Sequence, residues 1–266
     1  MGTEVDPFAS WPDRTRLYDD SGGLLLVYSE SQDAHDGRPW ADGAWRPASA
    51  PIDATLAAVT DRLRGYAFST SDEELARSLE AAGARQLRHA HLLSHPLEHL
   101  VPSTADDPEL AVEPLTAGQL SRHAQRLGEL HHAAYPVGHV DHTEDDVSAA
   151  VDHIRAIGRG ELLGPLMQVS RVAVSGGRIV GACLVVDRDG VPPDGGPWVI
   201  DIFRDPTSPA RGVGAALLGG ALAAAQSAGL SGVSLAVSHQ NTRALGLYTC
   251  MGFVDTGQSW TLSLPT

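Results

Sequence analysis

One segment near the C-terminus constrains the fold more than any other part of the chain. An apolar strand ends at Phe203, an irregular loop follows, and glycines at positions 212 and 214 open a long alanine-rich helix. Glycine lets a ligand approach the backbone closely, and successive N–H groups at a helix N-terminus suit a pyrophosphate. The turn is no Walker loop, because no Lys-Ser/Thr pair follows it, and it departs from the dinucleotide fingerprint. The segment therefore predicts a strand–turn–helix unit that binds a phosphate-bearing ligand.

A second signature follows about thirty residues later, in Asn241–Ala244, Tyr248 and Gly252-Phe253. Asn241 is the only asparagine in the chain. Together with the pattern Arg211-x-x-Gly-x-Ala, this signature resembles the acetyl-CoA-binding core of the GNAT (GCN5-related N-acetyltransferase) superfamily. The resemblance covers roughly the last hundred residues well, and the residues before about Val169 only loosely.

The resemblance implies acetyl-CoA as co-substrate. The glycine-rich turn would hold the coenzyme pyrophosphate, and backbone groups at the end of the preceding strand would bind the pantetheine arm like an added strand. Four residues, Thr207–Ala210, make the loop before the turn two residues longer than usual in the family. The coenzyme-binding residues implied are Ile202, Phe203, Arg204, Arg211, Gly212, Val213, Gly214, Ala215, Ala216, Asn241 and Tyr248.

Two residues are the candidates for catalysis. Tyr248 occupies the family's general-acid position, where a phenol with a pKa of about 10 can protonate a leaving thiolate without ionising at rest. Its alternative role is that of an amphipathic residue packed between helix and sheet. Asp201 is the best carboxylate for a general base, although polyamine-type members carry a glutamate where this chain has Ile200. Its alternative role is that of a structural hydrogen-bond acceptor.

Histidines are plentiful in the region that shapes the acceptor pocket of the family. His139 and His142, beside Asp141, Glu144 and Asp145, resemble a metal site, but loop ligands without helical spacing are poor evidence for zinc, and we expect no metal. A more plausible role is lining an amine pocket, with His239 at the end of the fifth strand. The remaining histidines of this region are His131, His132 and His153.

Composition limits the partners. The net charge of −14 argues against nucleic acid, because neutralising phosphates needs a basic surface. It is compatible with a cationic amine, although acidic surfaces also serve solubility. Two distant cysteines give no disulfide framework or metal-ligand spacing, and no apolar run is long enough to span a bilayer. No signal peptide is recognisable, so we expect a cytoplasmic protein without a membrane partner.

The strand and helix pattern by itself predicts a mixed α/β sheet, and the resemblance implies an α/β protein of the α+β type, with a mixed, mostly antiparallel sheet flanked by helices. From residue 168 onward the expected order is β-β-β-α-β-α-β, with single helices expected at 116–133 and 145–157. We expect an N-terminal α/β domain at 1–108, which ends in a linker over 96–108, and a GNAT domain at 109–266. A helix-then-strand order at 75–93 leaves open whether the first domain is a degenerate GNAT unit or a generic α/β unit. The stretch 32–51 is expected to be mostly loop.

The leading functional hypothesis is an N-acetyltransferase that acts on a primary amine of a small molecule by direct attack in a ternary complex. An antibiotic, a polyamine and an amino-acid derivative are all candidate acceptors. A protein or peptide acetyltransferase and a non-catalytic acyl-CoA-binding protein remain as alternatives. The sequence leaves a homodimer open.

Overall fold

A computed structural model of the chain describes residues 14–32, 37–99, 107–142, 146–188 and 195–266. Residues 1–13 and most of the expected linker lie outside these ranges, as do Glu144 and Asp145. The chain forms two compact units, Met1–His91 with Gly257–Thr266, and Leu92–Thr256. This division differs from the expected 1–108 and 109–266, because two strands, β5 (Arg85–His95) and β11 (Val254–Ser263), each run across a unit boundary.

The first unit is a sheet with two helices. Strands β1, β2 and β3 pair antiparallel, β3 and β4 pair parallel, and β4 pairs antiparallel with the Trp260–Ser263 part of β11. Phe68, Leu75 and Trp260 are fully buried in its core. The remaining elements of this unit are β1 (Arg14–Tyr18), β2 (Leu24–Gln32), β3 (Pro39–Trp45), α1 (Ile52–Arg62), β4 (Ala67–Thr70) and α2 (Glu73–Ala81).

The expected loop over 32–51 is wrong for Pro39–Trp45, which forms strand β3. Its buried residues Ala41 and Ala44 are three positions apart, and the register with β4 shifts between them. Gly43, with a φ of 56°, makes this irregularity possible because it has no side chain to strain. The two-residue alternation that marks a half-buried strand is therefore broken at its centre.

The second unit contains the sheet order β10-β9-β8-β7-β6, in which only β9 and β10 run parallel. The expected mixed, mostly antiparallel sheet is thus confirmed. The helix expected at 116–133 is two helices that break at His123, and the first begins at a capping box between Thr116 and Gln119. The elements of this unit are β6 (Leu110–Pro114), α3 (Ala117–Arg122), α4 (Ala124–Ala134), α5 (Val147–Gly158), β7 (Arg171–Ser175), β8 (Arg178–Arg188), β9 (Gly196–Arg204), α6 (Val213–Ser227), β10 (Val233–Ser238) and α7 (Thr242–Cys250).

The same order of elements occurs twice in the chain. The series β1-β2-β3-α1-β4-α2-β5 is repeated as β7-β8-β9-α6-β10-α7-β11. In both series the first three strands pair antiparallel and the third pairs parallel with the fourth. Among the helices of the described ranges, none has both the length and the apolar character needed to cross a bilayer.

Candidate active site

In the described part of the chain, one edge of strand β9 has no strand partner at the residues that the sequence assigns to the pantetheine arm of the coenzyme. It pairs with β8 along its length, and the register shifts between Leu184 and Val185, so that Ile200 is an extra residue opposite them. Its parallel pairing with β10 covers only Trp198 and Val199 within the described residues. The backbone of Ile202–Arg204 is therefore unpaired on the side of β10, as a ligand that adds to the sheet like a strand requires.

The loop after β9 is held by its first residue, Asp205. One carboxylate oxygen accepts hydrogen bonds from the backbone N–H and the hydroxyl of Thr207, at 2.9 and 2.6 Å. The other accepts a hydrogen bond from the Arg126 guanidinium at 3.0 Å. Farther along, Ala210 is buried in the core. The two additional residues of this loop are thus accommodated in an anchored turn ahead of Arg211.

Helix α6 begins without a side-chain cap. Its N-cap, Gly212, is left-handed with a φ of 71°, and Arg211 and Gly212 are exposed. The first hydrogen bond within the helix runs from the Ala216 N–H to the Gly212 carbonyl, at 2.9 Å. The N–H groups of the three residues before it, Val213, Gly214 and Ala215, have no acceptor within the helix. They form the positive end of the helix dipole. This turn can bind an anion.

Asn241 holds the start of α7. Its side-chain oxygen accepts a hydrogen bond from the Ala244 N–H at 3.1 Å, and its amide donates to Asp141 at 3.0 Å. The hydroxyl of Ser238, the last residue of β10, donates to the other oxygen of Asp141. Sequence reasoning missed this contact, because nothing local to Asn241 indicates a partner in the loop before α5.

The second candidate catalytic residue, Asp201, is held by two imidazoles. Nε2 of His153 lies 2.8 Å from one of its carboxylate oxygens, and Nε2 of His131 lies 3.3 Å from the other. His131 comes from α4 and His153 from α5. The Asp201 side chain is only 11% exposed, so both contacts are shielded from water.

These contacts decide the charge of Asp201. Burial alone would raise its pKa, but the hydrogen bonds and the attraction of His131 and His153 outweigh burial and hold the pKa well below its usual range. The carboxylate is therefore ionised and a weak proton acceptor. The three donor atoms lie within 4.8 Å of one another, a spacing that a metal ion could also use. Our expectation that no metal binds stays a prediction.

Tyr248 lies on α7 with its side chain almost fully buried, at 6% exposure. Burial raises its pKa above the usual value, and the nearby thiol of Cys183 and carboxylates of Asp201 and Asp141 raise it further. The phenol thus keeps its proton at neutral pH. The site also contains a buried thiol: burial raises the pKa of Cys183 to about 12, so it is not a thiolate.

The histidines predicted to line the acceptor pocket do not form one cluster within the described residues. His131 and His153 meet at Asp201, whereas His139 contacts Asp141, with 4.0 Å between Nδ1 and the carboxylate. Nδ1 of His142 lies 2.7 Å from the Tyr135 carbonyl oxygen, and His239 is exposed just after β10. Of the candidate catalytic residues, Asp201 and Tyr248 are close enough to influence each other electrostatically.

Comparison with known proteins gives a family match for part of the chain. Residues 125–253 match the model of the Acetyltransferase (GNAT) family. A comparison with curated protein sequences finds no match.

Solved structures share the fold at low sequence identity. A GCN5-related N-acetyltransferase from Sphaerobacter thermophilus is 15% identical over 92% of this chain and 78% of its own, with a TM-score of 0.63. One from Kribbella flavida is 16% identical over 96% and 90%, with a TM-score of 0.57. A tandem GNAT protein from the clavulanic acid biosynthesis pathway is 13% identical over 92% and 79%, with a TM-score of 0.58. Together with the family model, these likenesses establish a GNAT fold.

Proposed function

We propose that this chain, whose residues 125–253 form a GNAT acetyltransferase domain, transfers the acetyl group of acetyl-CoA to the primary amine of a small molecule. The family and fold indicate an acetyl-CoA-dependent acetyltransferase. The observation that best supports coenzyme binding is the conjunction of two features along one stretch of chain. The open edge of β9 at Ile202–Arg204 leads within a few residues to the uncapped N-terminus of α6 at Gly212.

The two features suit different parts of the coenzyme. Amide groups of the pantetheine arm can pair with the backbone of Ile202–Arg204, since that edge of β9 has no β10 partner. The pyrophosphate suits the N–H groups of Val213, Gly214 and Ala215, and the exposed Arg211 adds a positive charge. Ala216 lies in the same helical turn. Asn241 caps α7 in this structure, so it positions the helix that carries Tyr248 in addition to any contact with the coenzyme.

The chemistry we propose is direct attack of the amine on the thioester. An acyl-enzyme route would need a thiolate, and the raised pKa of Cys183 disfavours one. The neutral amine attacks the carbonyl carbon, the carbon–sulfur bond breaks, and the departing thiolate takes the phenol proton of Tyr248. The new amide then loses its remaining extra proton to the Tyr248 phenolate, which restores the acid.

A cationic acceptor suits the charges around Tyr248. The carboxylates of Asp141 and Asp201 both act on its phenol, and Asp201 is ionised. An ammonium group would be attracted into this region, which agrees with the net charge of −14. We therefore propose amines that are protonated in solution, such as polyamines, amino-acid derivatives and aminated antibiotics, as acceptors.

We further propose that the first unit is a degenerate GNAT unit without a coenzyme site. Its elements repeat the order of the second unit, but Pro51, not glycine, precedes α1. The Arg46 guanidinium donates to Asp72 at 2.6 Å and to Glu74 at 2.7 Å at the start of α2. The same guanidinium donates to the Ala50 carbonyl just before α1, at 3.1 Å, so this basic group is already paired with two carboxylates.

A panel of primary amines with acetyl-CoA, followed by thiol release, tests the proposed function. We expect amine-dependent release that Tyr248→Phe slows strongly. Peptides with free N-terminal and lysine amines belong in the panel, and exclusive turnover of peptides would favour the protein acetyltransferase. Coenzyme binding without turnover of any amine would favour the non-catalytic alternative.

A further inference from the structure

The carboxylate of Asp201 is bound by two imidazoles from two different helices. Within the described part of the chain, two histidine side chains, His131 and His153, contact this carboxylate. An ionised carboxylate only accepts hydrogen bonds, so the Nε2 atoms of both histidines must carry protons. A neutral imidazole that is protonated on Nε2 has its basic lone pair on Nδ1. The arrangement therefore fixes which nitrogen of each ring can accept a further proton.

His131 is the better placed of the two histidines for a reaction at the thioester. Its ring packs edge-on against Phe203, with 5.3 Å between the ring centroids. Phe203 belongs to the part of β9 to which we assign the pantetheine arm. The side chain of His131 is 13% exposed and that of His153 is 29% exposed. His131 is thus close to the expected coenzyme, while His153 lies nearer to solvent.

Asp201 is poorly suited to take the proton itself. One of its oxygens already pairs with Nε2 of His153, the other lies 3.3 Å from Nε2 of His131, and the side chain is only 11% exposed. Its low pKa agrees with this geometry. A carboxylate in this position instead orients the imidazole and stabilises the imidazolium that forms, as in other acid–histidine pairs.

We propose that Nδ1 of His131 is the proton acceptor for the attacking amine, and that Asp201 and His153 are its positioning residues. This inference rests on the proposed function. The acceptor ammonium gives one proton to Nδ1, which leaves a neutral amine and an imidazolium paired with Asp201. The amine then attacks as described above, and His131 releases its proton to solvent. One proton is released for each acetyl group transferred, as the overall reaction requires.

Other groups also surround His131 and belong in any account of its titration. On its own helix end the Tyr135 ring lies 5.0 Å away, and on α5 the His153 ring lies 5.1 Å away. From β9 it faces Asp201. The thiol of Cys183 and the phenol of Tyr248 both interact electrostatically with Asp201.

Nitrogen-15 NMR of the imidazoles tests the arrangement without any activity. The spectrum of His131→Gln identifies the signals of His131 by their disappearance. In the wild type we expect the neutral ring to carry its proton on Nε2, which faces Asp201. A ring that carries its proton on Nδ1 would contradict the proposal, since that nitrogen could then accept nothing.

The pH dependence of kcat tests the role in catalysis, because kcat reports ionisations in the substrate complex. In the wild type we expect kcat to fall on the acid side, where the imidazole that accepts the proton becomes protonated. His131→Gln should lower kcat by about 10² and remove this acid limb. Asp201→Asn should move the limb to lower pH, because the imidazolium loses its anionic partner. A merely structural role would not shift the limb.

His99→Gln is the control, since His99 is an exposed histidine that is not among the predicted pocket histidines. It should leave kcat and the acid limb unchanged, and coenzyme A should protect every variant against thermal unfolding as it does the wild type. A His131→Gln enzyme that keeps its acid limb and nearly all of its kcat would overturn the proposal that His131 accepts the proton. That result would leave the proposed function standing. A wild type that acetylates no amine would contradict the proposed function as well. Activity that is lost with a chelator and restored by zinc would also overturn the role of His131 as proton acceptor, because it would indicate a metal site at these residues.

Discussion

Replacing Gly214 by glutamate isolates the coenzyme site with little risk to the fold. Gly214 lies in the first turn of α6, and a Cβ there would meet only the Leu247 side chain, at 3.4 Å. A glutamate can therefore be accommodated, and its carboxylate enters the region of uncapped N–H groups. It should not change the stability of the free protein by more than about 1 kcal/mol, since helix propensity favours glutamate over glycine.

The expected loss of coenzyme binding follows from the two charges. A carboxylate about 5 Å from a phosphate, at an effective dielectric constant of about 20, costs about 3 kcal/mol. That is a loss of affinity of more than 100-fold. Coenzyme A at about 100 times the wild-type Kd stabilises the wild type by about 2.7 kcal/mol, but it stabilises the variant by less than about 0.5 kcal/mol.

Thermal unfolding with and without coenzyme A measures the difference. For a protein of this size we expect a Tm shift of about 8 °C in the wild type and about 1 °C or less in Gly214→Glu. Gly246→Glu is the control, because a Cβ at this exposed helical glycine meets no atom within 4 Å. With coenzyme A, the Tm of Gly246→Glu should rise by as much as that of the wild type. Equal shifts in Gly214→Glu and the wild type would refute the assignment of the pyrophosphate to this turn.

Three further predictions follow from the site. Tyr248→Phe should lower kcat by a factor of about 10² without changing the affinity for coenzyme A, as steady-state kinetics with an accepted amine would measure. An unchanged kcat would indicate that Tyr248 is only a packing residue. Because the folded-state pKa of Asp201 is lowered, its ionisation stabilises the fold above the usual carboxyl pKa of about 3.9, and this contribution is lost as pH falls toward the folded-state pKa. The free energy of unfolding in urea, measured at pH 6 and at pH 3, should fall by about 1 kcal/mol less in Asp201→Asn than in the wild type. An equal fall in both proteins would argue against the histidine contacts. Titration calorimetry should give one coenzyme A per chain, and a stoichiometry of two would contradict the proposal that the first unit has no site.

The local parts of the site could be predicted from the sequence. The glycine turn gave a left-handed Gly212 and an uncapped helix start, because both features depend on residues within one turn of chain. The sequence also indicates Asp201 as a candidate, from its position on the strand just before the residues assigned to the pantetheine arm. The order of elements after residue 168 also follows from the sequence, since apolar segments separated by glycine-containing turns mark its strands and helices.

The partners of these residues could not be predicted from the sequence. His131 and His153 reach Asp201 only because α4 and α5 pack over β9, and no local spacing encodes that contact. Gly128 shows how close this packing is, since a Cβ there would lie 2.5 Å from a Val151 methyl group. The contact of Asp141 with Asn241 likewise joins residues far apart in the chain.

The first unit was the harder part of the fold for a related reason. Strand β3 is interrupted at Gly43, and β11 pairs with β4 although nearly two hundred residues separate them in sequence. The repeat of element order between the two units therefore became visible only once the strand pairings were known.

Transfer of a labelled acetyl group tests the central claim most directly. Acetyl-CoA carrying carbon-13 in its carbonyl group is mixed with the protein and an amine from the panel, and the label is followed by NMR. The account predicts that the thioester signal is replaced by that of an amide on the amine, with one free coenzyme A formed for each amide. Label that stays in the thioester, or that appears only as free acetate, would contradict an N-acetyltransferase.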